Sequence, residues 1–114
     1  MPSQRTIMEM KIEPGAEMLL KQMGRKMKLK ARSRILDRAI AHIRQTEHIS
    51  DVAAWFSEPR FAAERRTTLR ISQDNADWLS DVAALTGWGR PALLLDMVYL
   101  AAAHMDGADY EAAR

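Results

Sequence analysis

Thr6–Ile43, TIMEMKIEPGAEMLLKQMGRKMKLKARSRILDRAIAHI, and Arg65–Ala102, RRTTLRISQDNADWLSDVAALTGWGRPALLLDMVYLAA, read as one small unit written twice. A gapless shift of 59 positions sets Met10 on Leu69, Lys11 on Arg70, Ile12 on Ile71 and Leu20 on Leu79. The same shift sets Met23 on Val82, Ile35 on Leu94, Leu36 on Leu95 and Asp37 on Asp96. A repeat of this length means that one supersecondary unit occurs twice, and neither copy alone buries its apolar face.

Within the first copy, Met8, Met10 and Ile12 alternate with Ile7, Glu9 and Lys11, the period of two of a half-exposed strand over Arg5–Ile12. Pro14 suits a helix entry, and Leu19, Leu20, Met23 and Met27 then recur at helical spacing through Ala16–Lys28. A second helix is expected over Ala31–Gln45, with Ile35, Leu36, Ala39, Ile40 and Ile43 on one stripe. In the second copy a strand runs to Ile71, with Arg66, Thr68 and Arg70 on one face and Thr67, Leu69 and Ile71 on the other. Ser72–Asp74 offers helix caps, Ala76, Leu79, Val82 and Ala83 mark a buried side, and Gly87 ends that helix. Pro91 lies near the start of a last helix reaching about His104, with Leu94, Leu95, Val98 and Ala102 inward.

Between the copies, Ile49, Val52, Trp55, Phe56 and Phe61 make Thr46–Glu64 too apolar for a free linker. A short helix over Ser50–Ser57, stopped ahead of Pro59, is expected to pack on the domain. The chain thus divides into unit one at 1–45, a packed connector at 46–64, unit two at 65–106 and a loose tail at 107–114.

Of the 114 residues 47% are hydrophobic and 28% charged, as in a soluble globular domain. The lack of cysteine removes disulfides, thiolate metal sites and a thiol nucleophile. No secretory signal or membrane span is expected, and the expected location is cytoplasmic. Net charge is +2, but residues 1–47 hold 11 Lys and Arg against 5 Asp and Glu, and the remainder holds 6 against 10. A basic half is the electrostatic footprint of a polyanion binder, although charge alone also fits solvated helix faces. Seven of those basic residues fall between Arg25 and Arg38.

A strand followed by two helices cannot close a core by itself. Pairing the two strands antiparallel puts both helix pairs on one side of a two-stranded ribbon and leaves its other face in solvent. Such a ribbon fits the major groove of B-DNA, where alternate side chains reach base edges. The segments MKIEPGAEMLLKQMGRKMKLKARSRILDRAI and LRISQDNADWLSDVAALTGWGRPALLLDMV resemble ribbon-helix-helix units of the Arc/MetJ superfamily, and ARSRILDRAI is similar to its usual second-helix opening. The tandem pair, with LTGWGRPAL between the later helices, is most similar to the TraY-type accessory proteins of plasmid conjugation.

The resemblance implies a mainly α fold with a two-stranded antiparallel β-ribbon, an intramolecular tandem ribbon-helix-helix pseudo-dimer. It implies base contacts from Ile7, Glu9 and Lys11 and from Arg66, Thr68 and Arg70. Ile7 and Glu9 depart from the polar or basic residues usual there, though Glu9 can accept from a cytosine amine. Phosphate contacts fall to Lys28, Lys30, Ala31, Arg32 and Ser33 in unit one and to Arg90 in unit two, the amides at the start of each second helix acting as clamps. Pro91 has no amide to give.

The expected partner is therefore double-stranded DNA, with an asymmetric site, no cofactor and no membrane. A relaxase or other protein is a further expected partner through the acidic helix bearing Asp74, Asp77 and Asp81, and the monomeric pseudo-dimer could oligomerise on DNA. Relaxosome component, transcriptional repressor and antitoxin-type autorepressor are alternative roles, although about ten residues after His104 make a short toxin-wrapping tail. A protein-interaction adaptor with a degenerate form of the fold is a separate alternative. Trp55, Trp78 and Trp88 are read as packing anchors, and Met10, Met18, Met23 and Met27 as core filler. His42, His48 and His104 show no metal-ligand spacing, and no nucleophile, phosphate-loop or paired-carboxylate motif points to an enzyme.

Overall fold

The computed structural model describes residues 5–56 and 65–107. Pro59, Phe61 and the tail from 108 lie outside the described residues. In chain order the elements are β1 (Arg5–Ile12), α1 (Pro14–Met27), α2 (Arg32–Thr46), α3 (Ile49–Trp55), β2 (Arg65–Ser72), α4 (Gln73–Thr86) and α5 (Arg90–Gly107). Among the described residues the molecule is thus mainly helical, with one two-stranded antiparallel sheet of β1 and β2.

Period-two patterning decides the ribbon. Met8, Met10 and Ile12 of β1 and Leu69 and Ile71 of β2 are buried beneath it, because alternate side chains of a strand leave on opposite faces. The register pairs Ile7 with Arg70, Glu9 with Thr68 and Lys11 with Arg66. The helices pack crosswise: α2 lies against β2 and α5 against β1, while α1 meets α5 and α4 meets α2. Each half of the chain thereby lays a helix against the other half's strand.

α1 and α4 are both 14 residues long, and each ends on a left-handed residue, Lys28 at φ 60° and Gly87 at φ 77°. Gly24 sits where α1 meets the start of α2. A Cβ there would lie 2.6 Å from Ile35 Cδ1 and 2.7 Å from the Leu29 carbonyl oxygen, so only glycine allows this approach. α5 is more deeply enclosed than a single inward stripe requires. Leu93, Met97 and Ala101 are buried as fully as Leu94, Leu95 and Val98, since β1, α1, α2 and α4 all pack against α5.

The connector helix ends at Trp55, two residues before the expected Ser57. The His48 ring accepts the Ser50 amide at 3.2 Å as its cap, Val52 is buried, and Ile49 and Phe56 pack on the core. Phe56 meets Trp88 edge to face at 5.2 Å, and Trp78 is also half-buried against the core, whereas Trp55 is exposed. Of the four methionines expected in the core, Met10, Met23 and Met27 are buried, whereas Met18 is 60% exposed, on the side of α1 away from its buried residues Leu20, Met23 and Met27.

One polar side chain is buried among the described residues, Asn75. Its Nδ2 donates to the Asp37 carbonyl oxygen at 2.8 Å and to Asp37 Oδ1 at 2.7 Å, and its Oδ1 accepts from Arg44 Nε at 3.0 Å. These bonds tie α4 to α2.

Where α2 and α5 end, the rings of His42 and His104 meet at 5.3 Å, and His104 Nε2 lies 3.1 Å from Glu47 Oε1. Burial, followed by the neighbouring His104, holds His42 below its ordinary value of 6.5, with Glu47 pulling the other way. Because the folded state favours the neutral ring, this contribution to stability is complete above the ordinary value and is lost as pH falls through the folded-state value. Thermal melts at about pH 7.5 and about pH 5 should show a lower midpoint in acid, and His42→Gln should shrink that difference. An undiminished difference in the variant would assign the acid sensitivity to other groups.

Candidate nucleic-acid interface

The solvent face of the ribbon follows from the buried one. With Met8, Met10, Ile12, Leu69 and Ile71 turned inward, Ile7, Glu9, Lys11, Arg66, Thr68 and Arg70 share the opposite face. Ile7 is 66% exposed, Glu9, Arg66, Thr68 and Arg70 are exposed, and Lys11 is half-buried. Two strands at the usual spacing of about 4.8 Å, with their side chains, match a groove about 12 Å wide.

Charge on this face is uneven. Arg66 Nη1 donates to Glu9 Oε1 across the ladder, so one guanidinium is already matched by a carboxylate. The Arg70 guanidinium has no ion pair among the described residues. Its backbone N–H donates to Ser33 Oγ at 3.0 Å, and the Ser72 N–H to Asp37 Oδ1 at 2.9 Å. Ser33 and Asp37, one turn apart on α2, therefore hold the outer edge of β2.

That contact sets the start of α2 beside Arg70. Ala31, at φ −73° and ψ 125°, precedes the helix without a side-chain cap, which leaves the first-turn amides without a capping acceptor. Lys28, Lys30 and Ala31 are exposed. Arg32 turns toward the body instead, with Nη1 donating to Thr67 Oγ1 at 3.0 Å and Nη2 to Glu17 Oε1 at 3.4 Å. Arg90 is exposed at the start of α5, where the Gly89 carbonyl accepts from Leu93 N at 3.0 Å. The structure thus brings the six ribbon residues onto one face and sets the start of α2 against β2, with Lys28 and Lys30 exposed on the segment that leads into it. Arg32 and Ser33 are engaged within the protein.

Arg5 was not among the expected contacts, yet it continues the outward row of Ile7, Glu9 and Lys11. It reaches the Arg70 carbonyl at 3.4 Å and Asp37 Oδ2 at 3.8 Å. The alternation already contains this signal, extended one step toward the N-terminus.

Among the described residues no group of three His, Cys, Asp or Glu could hold a metal ion, and no helix is long and apolar enough to cross a membrane. No protein-family model matches this chain, and neither a curated protein nor a solved structure matches it.

Proposed function

We propose that this chain binds double-stranded DNA sequence-specifically, as an intramolecular tandem ribbon-helix-helix pseudo-dimer that lays its ribbon in the major groove. The observation that carries this reading is the register of the ladder. Glu9 lies opposite Thr68, its own counterpart in the repeat, and Lys11 and Arg70, counterparts of each other, lie equally far from that centre. A twofold relation between the units would produce this pairing, and the six candidate readers then share one open face. The crosswise packing of α2 and α5 and the counterpart left-handed residues Lys28 and Gly87 support the same relation.

Because the two strands differ in sequence, the site read is asymmetric. The biological roles that fit are an accessory protein of plasmid transfer and a transcriptional repressor, with an antitoxin-type autorepressor behind them; the identity of the neighbouring genes separates these. The reading implies a cytoplasmic location. Mobility-shift titration with duplex fragments from the protein's own replicon should show preference over random duplex of equal length at moderate salt. Equal affinity for both would remove the proposal.

Glu9 provides an internal check. Its carboxylate matches Arg66 and stands where phosphates would approach, so Glu9→Gln should tighten binding to all duplexes by about 1 kcal/mol, roughly fivefold. Weaker binding confined to one sequence would instead make Glu9 a reader of a cytosine amine. The Glu9–Arg66 pair also favours a second reading, an adaptor that has lost DNA binding. Salt-insensitive capture of a protein partner, without salt-dependent retention on DNA, would establish that reading.

A further inference from the structure

A groove of about 680 Å³ lies between α1 and the segment that leads into α2. Leu20 and Leu29 contribute to its floor, and Lys21, Arg25, Lys28 and Lys30 to its rim. None of these four cations has an ion pair among the described residues. Glu17, the groove's acid, is already bonded to Arg32. The groove therefore fits an occupant with a row of carboxylates and a small apolar foot.

The corresponding place in unit two is filled. Trp88 stands at the counterpart of Leu29, Phe56 packs edge-on against it at 5.2 Å, and α3 lies along α4. The outer face of α4 presents the complementary row. Asp74, Asp77 and Asp81 recur at helical spacing in solvent and lead to Leu85, which is 59% exposed. Their counterparts on α1 are Gly15, Met18, Gln22 and Lys26, none of them acidic. One molecule thus carries one open basic groove and one acidic stripe, at places that are not equivalent.

We infer that the groove of one molecule receives the α4 stripe of a second copy. Asp74 to Asp81 and Lys21 to Lys28 each span about 10 Å at 1.5 Å per residue, so carboxylates and cations can meet in step. Leu85 leaves water against Leu20 and Leu29. Groove and stripe are different surfaces, so the contact is heterologous: a pair still has one of each free, and a row grows head to tail. Exposed ion pairs are weak and salt-screened, so free molecules associate only loosely. Neighbours held on one duplex gain from an effective concentration in the millimolar range.

The one-way polarity rests on the tandem reading of the chain, whereas the contact itself requires no DNA. Sedimentation of the full chain without nucleic acid therefore separates this proposal from the DNA-binding one. The wild type should show concentration-dependent association at low salt that disappears at high salt. Two sets of exposed positions are reversed, Asp74→Lys with Asp77→Lys and Asp81→Lys, and Lys21→Glu with Arg25→Glu and Lys30→Glu. Each set alone should weaken association by roughly tenfold or more, and mixing the two variants should restore it. If the aspartate reversal unfolds the chain, the Asp→Asn set makes the same test. A wild type that stays monomeric at low salt overturns the proposal and leaves the stripe to a different protein. Association that survives either reversal, or that mixing fails to restore, also overturns it.

Discussion

Asn75→Ala should lower the unfolding free energy by about 2–4 kcal/mol and the melting midpoint by roughly 10 °C. The side chain is 1% exposed and serves as donor twice to Asp37 and as acceptor once from Arg44. Alanine removes these bonds and leaves a carboxylate and a guanidinium, both partly withdrawn from water, without the partner that joins them. A hydrogen bond to a charged group contributes about 1.5–3 kcal/mol, and the stranded groups add a desolvation cost. Access of solvent to Arg44 and Asp37 trims the sum, hence the range. Urea denaturation monitored by helical signal is the measurement, with an unchanged m-value expected because the surface exposed on unfolding stays the same. A loss well under about 1 kcal/mol would show that water takes over the role of the amide.

Arg70→Ala should cost about 1–3 kcal/mol in binding to the preferred duplex, roughly 5- to 150-fold, and relax the preference at one base position. Arg70 is the sharper probe than Arg66 because its guanidinium has no ion pair among the described residues, whereas that of Arg66 is bonded to Glu9. Its main chain is also anchored, with N–H to Ser33 and carbonyl to Arg5, so the side chain projects from a fixed point and loses less freedom on contact. Lys28→Ala, at the exposed left-handed end of α1, should instead weaken all sequences alike and reduce the salt slope by about 1. Titrations of both variants against preferred and scrambled duplex at two salt concentrations distinguish these effects. A uniform loss with Arg70→Ala would mean that this residue touches phosphate and reads no base.

The strands were the most legible part of the fold. In Met8, Met10 and Ile12, and again in Leu69 and Ile71, alternation alone decides which side is buried, and the outward set follows without further information. Helix positions were legible for the same reason, because Leu20, Met23 and Met27, or Leu79 and Val82, recur at the turn spacing. What local pattern does not contain is which helix meets which strand. The bonds of Ser33 and Asp37 to β2, and the burial of Asn75 against α2, arise from the crosswise packing of distant segments. Nothing in the sequence sets Asn75 apart from the polar residues around it. The Glu9–Arg66 pair likewise becomes visible only with the register, which places Arg66 opposite Lys11 and so diagonal to Glu9. The stripe of Leu94, Leu95, Val98 and Ala102 predicts a one-sided α5, whereas Leu93, Met97 and Ala101 are buried as well because four elements pack around that helix.

With Ser33 and Asp37 occupying the amides of Arg70 and Ser72, an incoming peptide finds no donors at those positions on which to zip. It would have to peel α2 away first, at the expense of the core that Leu36 and Ile40 help to form. Crowded copies are therefore left with side chains rather than main chains by which to adhere along that margin. Gatherings made along that margin should dissolve on dilution, because no cross-β ladder can start from those two amides.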